Sequence, residues 1–506
     1  MKMMVMHNWV IIGIILLLIG VVSPSGTDAK MLIAGVETNT ICVSIIPMNN
    51  GTLSGYITDT AMHPIEGATV QVFFHNTSCE NYSDATGYYH VTEIPICNCT
   101  KNATCSKEGY YTEWVSLTIW ENTSYNFTLT AKARWLYVGG SGLGNYTKIQ
   151  DAINASSDGD TVFVYDDSSP YFENVCINKS ISVIGEHTET TLVNGDGYND
   201  TFCIVTEGTL LHNFTISNNQ TGVNNAGIRI RTNHTSISKN IVINNKYGII
   251  AYYNTQYSFE NTLENNIFND NYVGIYLGNS SYNKIVNNSI INNYAGIILD
   301  LFSMNNIISQ NTITCNDYAG ILIGHSSSHN KIRENTLNNN SCSILLTADS
   351  HNMDIMENKI TNNEYYGILI DSTVNNTISR NQITNNWVGI ALGYSSNNNI
   401  ISENHIAENL EGLDIYYSKN CLIKQNNFIN NDEGDGFFQC RAFRDLPRCK
   451  WVENYWDEWP YIRPKPVKGA LSIFIIVQVP FIYNTFSWYN FDWHPAQKPY
   501  NIQGMS

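Results

Sequence analysis

The chain has 506 residues, only 14 % of them charged, and a formal balance of −17. That length accommodates two or more domains and a large core. The acidic balance leaves no basic surface for a phosphate backbone, which argues against nucleic acid as a partner. At the start, Lys2 and His7 precede an unbroken apolar run, Trp9–Val22, which is followed by "SPSGTDA". A run of 14 residues suits a secretory signal over 1–29 and falls short of the roughly 20 needed to span a bilayer. An uncleaved N-terminal membrane anchor is the alternative. Both readings put the chain outside the cytoplasmic membrane, secreted or on the cell surface, with 30–49 as a linker.

Export changes how the 12 cysteines read, because disulfides persist outside the cell. Cys79, Cys97, Cys99 and Cys105 crowd one segment, and Cys440 and Cys449 bracket a short loop. Disulfides are expected in both places, with the connectivity open. Cys315, Cys342 and Cys421 read as buried free thiols. Asn76, Asn81, Asn122 and Asn126 open Asn-x-Ser/Thr sites that permit glycosylation.

Residues 50–131 alternate like short strands, with Gly and Pro turns between them: "GTLSGYITD", "HPIEGATVQVFF", "SDATGYYHV" and "NTSYNFTLT". The spacing predicts a β-sandwich of about eighty residues. Through Gly55–Asp59, Pro64–Val70, Asp84–Tyr89 and Glu108–Tyr110 it resembles the carboxypeptidase regulatory-like, transthyretin-like domain. That resemblance implies a stabilising or adhesive module without chemistry. His63, His75 and His90 are scattered and read as surface or turn residues.

From about 210 a template returns: apolar-x-x-Asn-x-apolar-x-x-Asn, an aromatic, then Gly-Ile-x-apolar. The Gly stands at 227, 248, 274, 296, 320, 367, 389 and 412, with Ser343 in the one gap, in steps of 21 to 26 residues. The first Asn, at 240, 266, 288, 311, 335, 358, 381, 404 and 426, keeps the same period, so the repeat is genuine. A leucine-rich solenoid would need helix-forming material after the Gly. "GILIDSTVNN" and "GIALGYSSNNN" are poor in it. Each unit therefore reads as one coil of a parallel β-helix, an all-β solenoid over 135–431. Ile290, Ile313, Leu337, Ile360, Ile383 and Ile406 should form one inward column, and Ile297, Ile321, Ile344, Ile368 and Ile390 another. Asn should turn the bends in a left-handed conformation and bond to the Asn above and below. Gly should admit the sharp turn into its strand.

Before the repeats, Ile149, Ala152 and Ile153 mark a short amphipathic helix suited to plugging the first coil. An open solenoid end is an unpaired sheet edge, so residues 432–506 are expected to cap the other end. The apolar "LSIFIIVQVPFIY" from Leu471 reads as a capping strand, with a membrane anchor as the alternative. "YTKIQDAINASSDGDTVFV", the "N-x-I-x-x-N…GI" coils and the tail "ENYWDEW…NFDWHPAQKPY" resemble the right-handed, pectin-lyase-like β-helix of the NosD type, common on archaeal and bacterial exteriors. The resemblance implies the fold. It leaves the function open, since this fold carries lyases, hydrolases, epimerases, adhesins and copper-maturation proteins.

Glycoside chemistry needs paired carboxylates, about 5–5.5 Å apart for retention or about 6.5–9.5 Å for inversion. Asp300 and Asp371 take equivalent places three coils apart, roughly 14 Å, which is too far. Asp349 and Asp371 are the remaining weak pair. "GHSSSHNKIR" lacks the clustered aspartates of polygalacturonases. No cofactor is expected. Calcium at the acidic loops "NGDGYND" (194–200) and "NNDEGDG" (430–436) is one alternative. Copper, implied by the NosD resemblance, is the other, with His325, His329, His351 and Met353 on consecutive bends as candidate ligands.

The outward position in Gly-Ile-x-apolar is mostly apolar through the middle coils: Tyr276, Ile298, Leu322, Leu345 and Leu369. A ring row runs alongside, Tyr272, Tyr294, Tyr318, then Ser341, Tyr365 and Trp387. An apolar stripe on a solenoid calls for a cover: another part of the chain, a second copy, or a cell-surface glycan stacking on the rings. The reading of function is non-catalytic binding or scaffolding on the cell exterior. A glycan-active enzyme and a copper-handling protein are the alternatives.

Overall fold

The computed structural model describes residues 50–218, 225–252, 258–441, 449–459, 461, 463–475 and 482–502. The expected signal and linker lie outside the described residues. The chain divides into two units at Thr130/Ala131.

In the first unit, the strand Asn50–Asp59 pairs antiparallel with Tyr88–Pro95 and parallel with Asn122–Ser124 and Phe127–Leu129. A second sheet runs Thr77–Tyr82, Thr69–Phe74, Thr100–Ser106, Glu113–Thr118. Period-two alternation puts Leu53, Ile57, Val70, Val72, Tyr89 and Val91 into one core. Cys97 and Cys99 are bonded to each other, while Cys79 and Cys105 keep free thiols. Cys105 sits in the core, where burial pushes its thiol up to about 12.

The second unit is a parallel β-helix. Its opening helix, Ile149–Ala155, buries Ile149, Ala152 and Ile153 as the pattern requires. Glu173 accepts from the amides of Ile149 and Gln150 at 2.9 and 3.1 Å, satisfying two helix-start donors. Each coil then contributes three strands. In one coil these are Thr312–Thr314, Ala319–Ile323 and Lys331–Arg333; stacking them coil upon coil gives a first, a second and a third sheet. The first has 13 strands. Both expected Ile columns are in register and fully buried.

The Asn ladders follow a finer rule than the sequence suggested. At the corner between third and first sheets, Asn311 donates from its backbone N and its Nδ2 to Oδ1 of Asn335, both at 3.0 Å. Its Nδ2 also reaches the carbonyls of Ile285 and Ser309. The left-handed residue is the one before the ladder Asn: Gln310, Glu334, Glu357 and Arg380 have φ between 54° and 59°. The Asn supplies partners for carbonyls that the bend takes out of the sheet. A second ladder, at the corner between first and second sheets, passes through Asn293, Asn316, Asn340 and Asn363. A third, which the template did not contain, passes through Asn261, Asn283, Asn306 and Asn330. Met353 and Cys421 stand in that third column.

The repeating Gly serves close stacking and not a sharp turn. A Cβ on Gly296 would lie 2.5 Å from the carbonyl oxygen of Gly320, and one on Gly367 the same distance from that of Gly389.

At the far end, Lys465–Ile475 and Ile482–Asp492 form an antiparallel hairpin, and the first of them pairs with Phe437–Arg441. Asp492 closes the first ladder by accepting from the backbone N and Nδ2 of Asn454 at 2.9 and 3.1 Å, and from Trp456 Nε1 at 3.2 Å. Asp435 closes the second by accepting from Asn431. The apolar segment from Leu471 is thus a strand as far as Ile475, and residues 476–481 lie outside the described residues. Among the described residues no helix is long and apolar enough to cross a membrane.

The cysteines near this end differ from expectation. Cys449 carries a free thiol, buried and hydrogen-bonded to the thiol of Cys421, not bonded to Cys440. Cys449 enters the solenoid on a third-sheet strand, Lys450–Val452, that stacks on Leu422–Lys424, and this register places it over Cys421. Of the three cysteines expected to be buried, Cys342 and Cys421 are, while Cys315 is exposed.

Candidate ligand-binding face

The second ladder turns the chain between the first and second sheets, and the residues just after each ladder Asn project from that corner. Tyr272, Tyr294 and Tyr318 stand there in register. Their ring centroids are 4.7 and 5.5 Å apart, with 6° between planes in both pairs. Lys246 places its Nζ 3.4 Å from the Tyr272 ring and ends this row. After Ser341 the row resumes with Tyr365 and Trp387, 6.3 Å apart at 29°. All five rings keep between 41 % and 55 % of their surface exposed. One edge of each stack is thus supported by neighbouring coils, and the other faces solvent.

The neighbouring stripe has the expected register, Tyr276, Ile298, Leu322, Leu345, Leu369 and Ala391. It is less bare than expected. The first five are half-buried and Ala391 is buried, because each stacks on the residues one coil above and below. At its N-terminal end the Tyr276 hydroxyl donates to Asp300 Oδ2 at 2.9 Å, and Asp300 Oδ1 lies 2.5 Å from His325 Nδ1. Burial, and then the Asp300 charge, push the Tyr276 hydroxyl above its ordinary range.

At the C-terminal end the stripe finishes in Asp414, which is 3 % exposed. Its Oδ2 accepts from the Tyr416 hydroxyl at 3.1 Å, while its buried Oδ1 has no hydrogen-bond partner. The Glu411 carboxyl lies beside it. Burial, then Glu411, push the Asp414 carboxyl up to about 8. Sequence reasoning listed neither Glu411 nor Asp414 as a site, and no local pattern marks them. Their pairing depends on the outward direction of one strand and the closeness of its neighbours.

Asp349 and Asp371 do not face each other. Asp371 follows its strand in line with Thr347 and Gly393, whereas Asp349 takes the left-handed bend place that Ser372 takes in the next coil. The offset is one residue, produced by unequal bend lengths. The four candidate copper ligands do not assemble either. Met353 is fully buried in the third ladder column, His325 pairs with Asp300, and His351 Nδ1 accepts from the amide of Val374 at 3.0 Å. The backbones of His329 and His351 are bonded on adjacent bends, but Met353 points inward away from them. In the acidic loop at 194–200, Asp196 accepts from the amides of Tyr198 and Asn199, and Asp200 pairs with Arg229. Among the described residues, one other group combines metal-ligand types: Asp166, Glu186 and His187, at the ends of the strands Thr161–Val164 and Ser182–Gly185. Their ligand atoms lie within 4.8 Å of one another.

Residues 302–434 match the family model described as periplasmic copper-binding protein (NosD), and residues 202–358 match that of the right-handed beta helix region. Both spans fall on the coils of the second unit, which are similar to NosD-type β-helix repeats. No curated protein matches the chain. Among solved structures it is similar to the Dettilon tailspike protein (TM-score 0.51, 14 % identity, 68 % of this chain and 74 % of that one). It is also similar to the catalytic unit of a GH87 α-1,3-glucanase from Streptomyces thermodiastaticus (0.50, 14 %, 81 % and 87 %). A third is the Azotobacter vinelandii mannuronan C-5 epimerase AlgE4 A-module (0.47, 14 %, 57 % and 91 %). At such identities the likeness shows the fold alone.

Proposed function

We propose that this chain is an exported β-helix protein that binds glycans, without transforming them, along the ring-bearing corner of its solenoid. The observation that carries this reading is the row of in-register rings with exposed edges. A glycan chain running along the solenoid axis meets a ring at five of the six coils from Tyr272 to Trp387, with coils about 4.8 Å apart. Sugar C–H groups pack against the exposed ring edges, and the Tyr hydroxyls offer hydrogen-bond partners to sugar hydroxyls. The apolar run Trp9–Val22 supports a place outside the cytoplasmic membrane. The test is a glycan array probed with the full secreted chain, with and without divalent metal. Retention on at least one glycan, without metal and without new reducing ends or unsaturated products, is expected. Product formation would replace this reading with an enzymatic one.

One observation favours that second reading. The Asp414 and Glu411 carboxyls share a buried, polar corner with Tyr416, and a carboxyl protonated near neutrality is a proton donor. If the protein cleaves glycans, Asp414→Asn should abolish the activity while leaving retention on the array intact.

A further inference from the structure

The ring row has one missing rung, and the structure differs around it in three ways. Ser341 stands in register between Tyr318 and Tyr365, and the amide of Tyr365 bonds to its carbonyl at 2.9 Å. In the coils of Tyr272, Tyr294, Ser341 and Trp387 the residue directly follows the ladder Asn. In the two coils flanking Ser341 an extra residue intervenes, and in both it is acidic: Asp317 before Tyr318 and Glu364 before Tyr365. A cavity of about 500 Å³ opens beside the gap, lined by Asp317, Ser341 and Glu364 together with the bend residues Asn339 and Asn362, with the rings of Tyr318 and Tyr365 outside its lining. The Glu364 carboxylate also accepts from the Tyr365 hydroxyl, which ties it to the ring beside the gap.

Resting on the glycan-binding reading, we propose that this gap is the specificity subsite: one sugar ring takes the place of the missing rung between Tyr318 and Tyr365. Two coil steps separate those residues, about 9.6 Å, so an inserted ring lies about 4.8 Å from each neighbour. That matches the 4.7 and 5.5 Å spacings in the intact part of the row. The cavity volume falls in the range of small-ligand sites, about 300–1,000 Å³. Asp317 and Glu364 offer acceptors to sugar hydroxyls from opposite sides, and the Asn amides offer donors. Two carboxylates at the gap, on a chain of net charge −17, repel uronate and phosphate groups and attract ammonium. The occupant is a neutral or amino sugar, not a uronate.

The experiment uses the full chain and an immobilised panel of neutral, amino-sugar and uronate oligosaccharides. Ser341→Trp restores the missing rung between Tyr318 and Tyr365. Binding of at least one neutral or amino-sugar oligosaccharide should fall tenfold or more in that variant, while Tyr272→Ala, at the far end of the row, should cost less. The double variant Asp317→Asn/Glu364→Gln should lose affinity similarly, and it tests the subsite even if the Trp variant does not fold. Binding that is unchanged by both variants would overturn the subsite and leave the glycan reading standing. Preference for the uronates would overturn the subsite assignment as well. No retention of any panel member would overturn both.

Discussion

At the scale of single residues, Asp414 is the group furthest from its ordinary chemistry. Its carboxyl is pushed from 3.8 to about 8 by burial and by Glu411. The folded state therefore keeps a proton that the unfolded chain has released by about pH 4. A raised carboxyl contributes its full stability at low pH and loses it as pH climbs from about 4 toward 8. Asp414→Asn, which keeps the neutral form permanently, should be more stable than the wild type at pH 8, by on the order of a few kcal/mol. The two should converge near pH 4. Urea midpoints at the two pH values decide this, and parallel curves would show that Asp414 is not held protonated. A second prediction concerns sulfur. Peptide mapping of non-reduced protein from an oxidising compartment should find Cys421 joined to Cys449, because those thiols meet. A Cys440–Cys449 peptide would contradict the register of the last coil. Neither site was legible in the sequence. Cys440 and Cys449 are close along the chain, but the stacking of Leu422–Lys424 on Lys450–Val452 decides which sulfur Cys449 meets. Asp414 takes the outward place in its Gly-apolar-x-apolar unit, and its burial comes from residues that a one-dimensional pattern does not bring together.

At the scale of elements, buried columns of Ile on all three sheets and three ladders of polar side chains hold each coil to the next. Ile344→Ala should cost roughly 2–5 kcal/mol, since the side chain is fully buried in a stack that cannot close over the void. Asn335→Ala should cost as much or more with fewer carbon atoms removed. It strips the acceptor from both nitrogens of Asn311 and the donor from the Ile308 carbonyl, and each buried orphan costs about 1–3 kcal/mol. Equilibrium unfolding of the two variants compares them directly; an Asn335→Ala effect below 1 kcal/mol would mean that the ladder is ornamental. The ladder was legible because its period matched that of the Gly, two markers that chance does not synchronise. Its detail was not. The sequence suggested that the ladder Asn itself takes the left-handed turn, yet the residue before it does: Glu334, Glu357 and Arg380 at the first corner, and Asn292, Asn339 and Asn362 at the second. The side chain of the following Asn compensates the strain by filling the bonds the turn leaves open. The Gly was misread in the same way. Its missing Cβ makes room for the Gly carbonyl of the next coil, a contact between residues some two dozen positions apart.

At the scale of the molecule, a solenoid is stabilised between neighbours, so its ends decide where it begins to fray. The first ladder runs its donors toward the C-terminus and finishes on Asp492, which receives three N–H groups from Asn454 and Trp456. Asp492→Ala should raise hydrogen exchange in Leu422–Lys424 and Lys450–Val452 while leaving Ser289–Ile291 protected. Uniform loss of protection along all coils would mean that the solenoid unfolds as one unit. The need for a cap was legible from physics alone, because a parallel sheet cannot end unpaired. The form of the cap, an antiparallel hairpin over Lys465–Asp492, was not. No period announces it, and the apolar segment from Leu471 also admits a membrane anchor as the alternative reading.

The central claim is that the exposed edges of the rings hold a glycan. Affinity electrophoresis of the full chain through gels containing neutral polysaccharides tests it most directly, with the double variant Tyr294→Ala/Trp387→Ala alongside. Retardation of the wild type by at least one polysaccharide, lost or greatly reduced in a double variant with an unchanged melting profile, is the predicted result. Equal mobility of the two proteins in every gel would contradict the account and leave the rings as internal support for the coils.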